Sequence, residues 1–451
     1  MVEIREVKDI PKHKEELRVG FHTHVRGLGL DERGKAIKVA DGLVGQEEAR
    51  EALGVVAQMV REGKMAGKGV LIVGPPGTGK TALAIGLAKE LGEDTPFVAM
   101  GGSEIMGSPR KSELLMQAMR RAIGVRLKEK RTVYEGVVRD IKYRVARHPF
   151  NPYVKIPREA VITLETSDDR VTLTVDEDIA IQLRQLGVRK GDIIAIDAET
   201  GRVYKLGRAR EEKKEGGIRL VREINVPSGP VKKEKEIVHT LSLHDLDTYL
   251  AAQQAPISLL AGLGPESVTD EVRKQVDKMV SEWIKQGRAE LVPGVLFIDD
   301  AHLLDLEAFS FLSRAMEKEF APIIVLATNR GKAKIRGTED VAPHGIPLDM
   351  LDRLLIVRTR PYTKDEIKEI LKIRAAEEGV KVSEDALERL AELGEERSLR
   401  YAINLLQPAY TVAKMNGREE VTVEDVEEAT KKFVDVKESV QYVEQFKDKF
   451  L

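Results

Sequence analysis

The sequence predicts an α/β fold with a parallel-stranded core, a β-rich domain inserted into that core, and a helical domain at the C-terminal end. Three observations lead to this prediction. A glycine-rich loop, residues 74–81, joins an apolar run to a helical pattern. A second apolar run ends in Asp299 and Asp300, and Asp299 comes 219 positions after Lys80, which leaves room for an insertion. The C-terminal part has helical periodicity, with helix start signals at Thr363, Ser383 and Thr422.

The glycine-rich loop predicts a phosphate-binding site. Its residues are Gly74, Pro75, Pro76, Gly77, Thr78, Gly79, Lys80 and Thr81. Glycines let successive backbone N–H groups point inward toward anionic phosphates, and the following helix adds the positive end of its dipole. In this pattern the lysine reaches the β- and γ-phosphates, and the threonine hydroxyl ligates Mg²⁺. We therefore expect ATP or ADP here, with Mg²⁺.

Length and composition bound the classes of protein that this chain can belong to. A chain of 451 residues predicts about two to four domains. The absence of cysteine excludes disulfides and thiolate metal sites, and a net charge of −2 gives no overall attraction for nucleic acid. No run approaches the roughly 20 apolar residues of a membrane span, and the N-terminus lacks an apolar signal core. We expect an intracellular protein without membrane association, cytoplasmic if prokaryotic and nuclear if eukaryotic.

The segment before the loop predicts the wall of a nucleoside pocket. In P-loop proteins this wall is commonly built from residues just N-terminal of the loop, which makes Leu43 and Val44 candidates. His22 and His24 lie further upstream. Two histidines without a third ligand are a weak indication of a metal site. Stacking on the base, or hydrogen bonding to it, is the preferred interpretation, and a polar arm is the alternative.

The middle of the chain predicts a β-rich insertion. Residues 111–127 have the apolar spacing of a helix, and short alternating runs then follow at residues 171–175, 193–196 and 203–206. With one helical piece at residues 176–186, these runs indicate a small β-barrel of the OB type.

The charge of this insertion indicates a weak site for single-stranded nucleic acid. Residues 131–240 contain 22 Lys and Arg against 18 Asp and Glu, although the chain as a whole is slightly acidic. Few aromatic side chains are available for base stacking: Tyr134, Tyr143, Phe150, Tyr153 and Tyr204. A domain that docks proteins is therefore the alternative interpretation.

The second apolar run predicts the catalytic groups, because P-loop enzymes place such a strand opposite the phosphates. Asp299 is expected to hold Mg²⁺, and Asp300 to orient and deprotonate the attacking water. Asn329, after the next apolar run, can hydrogen-bond the γ-phosphate or that water. Arg353 and Arg400 are candidate cations for the charge of the transition state, and surface ion pairs are the alternative for both.

An ordered set of motifs over nearly the whole chain resembles the RuvB-like AAA+ ATPases, the pontin/reptin family. Besides the Walker A loop, the motifs lie at residues 22–31, 102–105, 123–126, 328–331, 343–347 and 398–403. The insertion between the two nucleotide motifs is itself typical of that family. The resemblance implies an α/β fold with a P-loop AAA+ ATPase core at residues 1–130 and 266–358, an inserted OB-like domain at 131–265, and a C-terminal helical lid at 359–451.

The resemblance also implies roles for individual residues. Asp299 is similar to the Walker B carboxylate and Asn329 to sensor 1. Arg353 corresponds to an arginine finger offered to a neighbouring subunit, and Arg400 to sensor 2. The residues that would line the nucleotide pocket are His22, His24 and Tyr362. The family implies a homo-hexameric ring with ATP-dependent DNA helicase activity, and also roles as a scaffold for protein assembly and chromatin remodelling.

One position departs from the family pattern. The acid pair of the family is Asp-Glu, and the second position here is Asp300. Aspartate is shorter by about 1.5 Å of reach, and misplacement on that scale can cost about 10²-fold in rate. Two functions therefore stay open: a ring-forming ATPase that remodels or unwinds DNA, and a nucleotide-gated scaffold for protein assembly with slow hydrolysis.

Overall fold

The computed structural model of the chain describes residues 22–148, 151–209, 223–224, 226–260 and 268–445. These residues form two compact units. The first comprises the described parts of 22–125, 240–284 and 290–445, and the second those of 126–239 and 285–289. The N-terminal residues that carried the expectation about a signal sequence lie outside the described part of the chain. None of the described helices combines the length and apolar character that a membrane crossing requires.

The strands range from two-residue pairs to one of 26 residues. They are β1 Val39–Ala40, β2 Leu43–Val44, β3 Gly69–Val73, β4 Phe97–Gly101, β5 Ile123–His148, β6 Asn151–Glu165, β7 Arg170–Val175, β8 Asp192–Asp197, β9 Val203–Ala209, β10 Glu223–Ile224, β11 Lys232–Ser242, β12 Ala289–Pro293, β13 Val295–Asp299, β14 Ile323–Thr328, β15 Lys332–Lys334, β16 Val341–Pro343 and β17 Leu354–Arg358.

The helices are concentrated in the first unit. They are α1 Glu47–Arg61, α2 Lys80–Leu91, α3 Gly102–Gly107, α4 Lys111–Arg121, α5 Glu177–Gln185, α6 Leu243–Leu260, α7 Asp270–Lys285, α8 Leu306–Ala315, α9 Leu348–Leu351, α10 Lys364–Glu377, α11 Glu384–Glu396, α12 Leu399–Met415, α13 Val423–Lys432 and α14 Val436–Gln445, and a 3₁₀ turn covers Ala301–Leu303.

Five parallel strands form the central sheet of the first unit, in the order β17-β3-β14-β13-β4. Its inner strands are apolar and buried, as strands covered on both faces must be. Along β14, Ile324 and Leu326 pack into one hydrophobic cluster, whereas Val325 and Ala327 pack into another. This alternation places the sheet between two apolar layers. Because parallel strands share a direction, the segments that follow β3, β13 and β14 leave from the same edge.

The C-terminal region is helical, as the sequence predicts. Helices α10 to α13 pack around one apolar cluster. The three predicted start signals, Thr363, Ser383 and Thr422, are the N-cap residues of α10, α11 and α13. Thr363 forms a capping box with Glu366, because its hydroxyl accepts from the Glu366 N–H and its own N–H donates to the Glu366 carboxylate. Such caps pair some of the N–H groups that the first turn of each helix leaves without a helical partner.

The second unit is built on a largely antiparallel sheet in the order β10-β9-β8-β5-β6-β7, with β11 paired to β5. Its hydrophobic cluster includes residues of the predicted helix, which is α5 with Asp176 as N-cap. The content of strands and one helix is as predicted, and the OB topology stays a prediction. Helix α6 lies in the first unit, where Arg120 donates to Asp247 at 2.7 Å. The predicted boundaries of the inserted domain, residues 131–265, stay a prediction.

One predicted element is wrong. The helical spacing across residues 111–127 suggested one helix, but α4 ends at Arg121 and β5 begins at Ile123. The apolar residues 123, 125 and 127 alternate as a strand requires, and all three are buried. Over so short a run, the apolar spacing of the strand resembles a continuation of the helix period.

Candidate active site

A cavity of about 350 Å³ lies in the first unit, where the loops after β3, β13 and β14 meet residues 22–44 and the C-terminal helices. Most of the predicted site residues line it. From the glycine-rich loop these are Pro76, Gly77, Thr78, Gly79, Lys80 and Thr81, and from the other segments His22, His24, Leu43, Val44, Asp299, Asp300, Asn329, Tyr362 and Arg400.

The glycine-rich loop holds its lysine through its own backbone. Lys80 is the first residue of α2 and is 9% exposed. Its Nζ donates to the carbonyl oxygens of Gly74 at 3.0 Å and Pro75 at 2.7 Å. Thr78 Oγ1 donates to the Pro75 carbonyl at 2.9 Å and lies 2.7 Å from Thr359 Oγ1. Gly74 and Pro75 thus contact Lys80 without being among the residues that line the cavity.

The charged groups of the cavity influence one another. Burial lowers the pKa of Lys80, and the negative charges of Asp299 and Asp300 oppose that effect. Burial also raises the pKa of Asp299, and the charge of Asp300 adds to the rise, while Lys80 and Arg400 act against it. Carboxylate oxygens are the ligands that Mg²⁺ prefers. The site therefore contains hard oxygen donors beside a buried cation, and this donor set fits a magnesium nucleotide.

Asp300 has a left-handed backbone conformation, with φ 50° and ψ 45°, at the start of the 3₁₀ turn. Aspartate and asparagine tolerate this region better than other residues with a Cβ. The backbone of Asp300 also lies close to Gly102, where an added Cβ would come within 2.4 Å of the Asp300 carbonyl oxygen. The position at which the sequence departs from the family pattern therefore has a backbone conformation that favours a short polar side chain.

Four predicted residues of the nucleoside side, Leu43, Val44, His22 and His24, are apolar or uncharged, and the charge of Arg374 acts on both histidines. Leu43 and Val44 are 6% and 4% exposed. The rings of His22 and His24 have centroids 5.7 Å apart, and burial lowers the pKa of both, that of His22 to about 4. Among the described residues neither Nδ1 atom has a hydrogen-bond partner. Neutral imidazoles with free buried nitrogens suit the polar edge of a ligand better than a cation, and the described residues contain no cluster of three metal ligands.

The C-terminal helices close the cavity from the other side. The Tyr362 hydroxyl donates to the Thr78 carbonyl at 3.4 Å, and burial raises the pKa of Tyr362 to about 12. Arg400 lies in the first turn of α12. Six lining residues were not predicted: Gly42, Ala82, Ile370, Arg374, Leu399 and Ile403. Ile370 and Arg374 are four positions apart on α10, and Leu399 and Ile403 are four positions apart on α12. This spacing places the two members of each pair on one face of their helix, which is the signal in the sequence that could have indicated them.

Arg353 is the one predicted catalytic residue that does not line the cavity. It precedes β17, is 38% exposed at its side chain, and donates to Glu317 Oε1 at 2.5 Å. Within its own chain, Arg353 therefore forms a surface ion pair, which is the alternative interpretation given above. Its role toward a neighbouring subunit stays a prediction.

The fold and the cavity together define the class of protein. A P-loop after one strand, paired carboxylates after a second, an asparagine after a third and a helical lid over the same cavity are the parts of an AAA+ ATPase. The family model described as the TIP49 P-loop domain matches residues 18–365, and that of the TIP49 AAA-lid domain matches residues 370–435. The chain belongs to the TIP49 family, and it is an ATP-hydrolysing enzyme that binds a nucleotide.

Curated relatives align with the chain over its full length. RuvB-like helicase 1 of Aedes aegypti is 43% identical, and the alignment covers 100% of both chains. RuvB-like helicase 1 of Drosophila melanogaster is 42% identical with the same coverage. RuvB-like protein 1 of Arabidopsis thaliana is 43% identical, over 100% of this chain and 99% of that protein. The resemblance to the RuvB-like AAA+ ATPases and the predicted AAA+ fold are thereby confirmed.

We expect His22 to make stability depend on pH. Because the pKa of His22 is about 4 in the fold and 6.5 in the unfolded chain, only the unfolded chain takes up this proton as the pH falls from 6.5 toward 4. Stability is therefore lost over that window. His22→Gln should reduce the loss between pH 7 and pH 4.5 by about 2 kcal/mol, measured by denaturant unfolding. An equal loss of stability in the wild-type chain and in His22→Gln over this pH range would contradict this prediction.

Proposed function

We propose that the chain is a ring-forming ATPase that couples hydrolysis of Mg²⁺-ATP to the remodelling or unwinding of DNA. The observation that carries the proposal is the cavity in which the glycine-rich loop, the Asp299–Asp300 pair and Asn329 meet. Two of the relatives named above carry the name helicase, which supports the unwinding of a nucleic acid.

In the proposed reaction each residue has one task. Lys80 exchanges the carbonyls that it now contacts for the β- and γ-phosphates. Thr81 and Asp299 would hold Mg²⁺, which neutralises charge on the phosphate oxygens. Asp300 accepts the proton of the attacking water, and Asn329 orients that water. Arg400 adds positive charge from the lid side of the cavity.

The phosphate assignment is tested with Lys80→Ala. Removing the ammonium should weaken binding of Mg²⁺-ADP at least about 100-fold, because a buried charge that contacts the phosphates is lost. The matched control is Lys64→Ala, which removes an exposed lysine paired with Glu62 on the same unit. Isothermal calorimetry gives both affinities. A normal affinity in Lys80→Ala would remove the basis of the proposed site.

Asp300 gives a test of the catalytic step. If reach limits hydrolysis, Asp300→Glu should raise kcat several-fold with little change in KM. Asp300→Asn should leave ADP binding intact and stop turnover, because the amide cannot accept the proton. Steady-state ATPase assays measure both. An unchanged or lower rate in Asp300→Glu would show that the left-handed backbone already places the shorter carboxylate correctly.

We also propose that the chain forms a homo-hexamer in which Arg353 completes the site of a neighbouring subunit. The support is its location, since it does not line the cavity of its own chain and lies on the surface beside Glu317. A guanidinium in that position is available to a second copy. It would stabilise the charge of the transition state there, as arginine fingers do.

Mixed assemblies test this shared site. Arg353→Ala and Lys80→Ala should each be inactive alone, because the former lacks the finger and the latter lacks phosphate binding. Mixing them should restore part of the ATPase rate, since some interfaces then pair an intact loop with an intact Arg353. Rates are measured across mixing ratios. If no mixture exceeds the sum of the two separate proteins, the two residues do not act across an interface.

The second unit is proposed as the surface that binds single-stranded DNA. Its sequence has a local excess of positive charge, and Lys142 and Arg144 are 77% and 76% exposed on the same face of β5. Against this, Tyr204 and Leu206 of β9 are 45% and 39% exposed, and exposed apolar side chains suit a protein partner. Phe150 lies outside the described residues. The scaffold with slow hydrolysis therefore stays the second candidate.

DNA stimulation decides between the two functions. At about 50 mM salt, single-stranded DNA should bind the full chain and raise its ATPase rate. The Lys142→Glu/Arg144→Glu variant should bind more weakly, with a salt dependence smaller by about one unit for each phosphate contact removed. Lys381→Glu, at an exposed lysine of the lid, is the control. If the wild-type chain neither binds DNA nor responds to it, the scaffold function replaces the helicase function.

A further inference from the structure

Arg50 is a buried cation that the proposed reaction does not use. It lies on α1 and is 0% exposed. Its guanidinium donates to four main-chain carbonyls: Nε to Leu28 at 2.7 Å, Nη2 to Gly29 at 2.7 Å, and Nη1 to Ile37 at 2.7 Å and to Gly45 at 3.1 Å. Burial lowers the pKa of Arg50, and the charges of Glu47 and Asp41 act against that effect. So many acceptors around one buried side chain mark it as a structural centre.

All four carbonyls belong to one segment, residues 28–45. We call residues 22–45 the arm. The arm also carries five residues that line the cavity on the nucleoside side: His22, His24, Gly42, Leu43 and Val44. The arm contains little regular secondary structure, namely the two-residue strands β1 and β2. The arm has hydrogen bonds of its own, such as that from the Ile37 N–H to the Gly29 carbonyl, and Arg50 adds four more from outside it.

The geometry of the contact is specific for arginine. The guanidinium has five N–H donors in a rigid fork, whereas a lysine has three donors on one nitrogen. Gly29 shows how closely the arm encloses the fork, because a Cβ at this residue would lie 2.4 Å from Arg50 Nη2. Gly29 also has a φ of +60°, which disfavours any side chain. The Arg50 guanidinium thus packs directly against the backbone of Gly29, with no space for a side chain at that residue.

The hydrogen bonds that hold the phosphate side of the cavity do not include this contact. The glycine-rich loop connects β3 to α2, and the Lys80 ammonium is held by carbonyls of that same loop. None of the four hydrogen bonds described for Arg50 reaches residues 74–81. A change at Arg50 should therefore alter the nucleoside wall and leave the phosphate-binding loop and the catalytic carboxylates in place.

We propose that Arg50 is a positioning residue that holds the nucleoside wall of the cavity, so that this chain recognises the nucleoside and the phosphates through two separable structures. The proposal rests on the proposed nucleotide site. It assigns to Arg50 no contact with the nucleotide. Its effect passes through the arm, from four backbone carbonyls to the residues that face the ligand.

The test uses the full chain with Arg50→Met, which keeps a long side chain and removes every donor, and with Arg50→Lys. The readouts are the affinity for Mg²⁺-ADP, the kcat and KM for ATP, and the inhibition constant of inorganic tripolyphosphate. Arg120→Met is the matched control. Arg120 is also a buried arginine of the first unit, but it contacts Asp247 and Asp277 and not the arm.

Arg50→Met should weaken ADP binding and raise KM by about tenfold or more, which is about 1.4 kcal/mol or more. Both kcat and the tripolyphosphate inhibition constant should stay within about threefold of the wild-type values. For Arg50→Lys, the ADP affinity and KM should lie between those of the wild-type chain and those of Arg50→Met. Arg120→Met should change thermal stability without changing the ratio of the ADP and tripolyphosphate affinities. A merely structural role of Arg50 would instead lower kcat together with both affinities.

Three results would overturn the proposal: unchanged ADP affinity in Arg50→Met, an equal loss for ADP and tripolyphosphate, or the same ADP-selective loss in Arg120→Met. If Arg50→Met does not fold, Gly29→Ala takes its place, because it disturbs the same contact and leaves the guanidinium present. The same selective loss is then expected at a smaller size. Failure of the wild-type chain to bind ADP would instead refute the proposed function, so the two failures are distinguishable.

Discussion

The parallel pairing of β3 with β14, and of β14 with β13, is the constraint on which the cavity depends. Thr328 pairs with Val73, and Ile298 pairs with Leu326, so the three strands end at nearly the same level. Side chains that are more than 200 positions apart in the sequence are brought together by this register alone. The two apolar layers that cover the sheet maintain that register, because a slip by one residue would exchange the side chains that pack into the two layers, and their volumes would no longer match.

Long-range polar contacts then fit the arm and the lid to this edge. Gln46 exchanges two hydrogen bonds with the backbone of Arg360, at 2.6 and 3.1 Å. The Arg360 guanidinium donates to Glu366, which is 3% exposed and also closes the N-terminus of α10. Thr359 and Tyr362 contact Thr78 of the glycine-rich loop. The short segment between core and lid therefore contacts both the phosphate side and the nucleoside side of the cavity.

The features that sequence analysis predicted are those encoded in short, continuous patterns. The loop at residues 74–81, the run that ends at Asp299, and the three N-caps of the lid each combine residue type with local spacing. The predicted helix 111–127 was wrong because α4 and β5 are separated by one residue and both are apolar on one face. Arg374 and Arg50 were missed because their significance depends on residues of the arm that are distant in sequence or form no regular element.

The strand order of the central sheet has a consequence for how the chain is synthesised. Of the four neighbouring pairs in that sheet, only β13 and β14 are consecutive strands in the sequence, and the early strands β3 and β4 pair only with strands from β13 onward. On the ribosome, these two apolar strands emerge long before their partners, while the second unit has most of its strands available within itself. Nascent chains must therefore carry unpaired core strands through the synthesis of the second unit. Pairing at such sequence separation is slow, and it makes this stage of biosynthesis the one most exposed to aggregation.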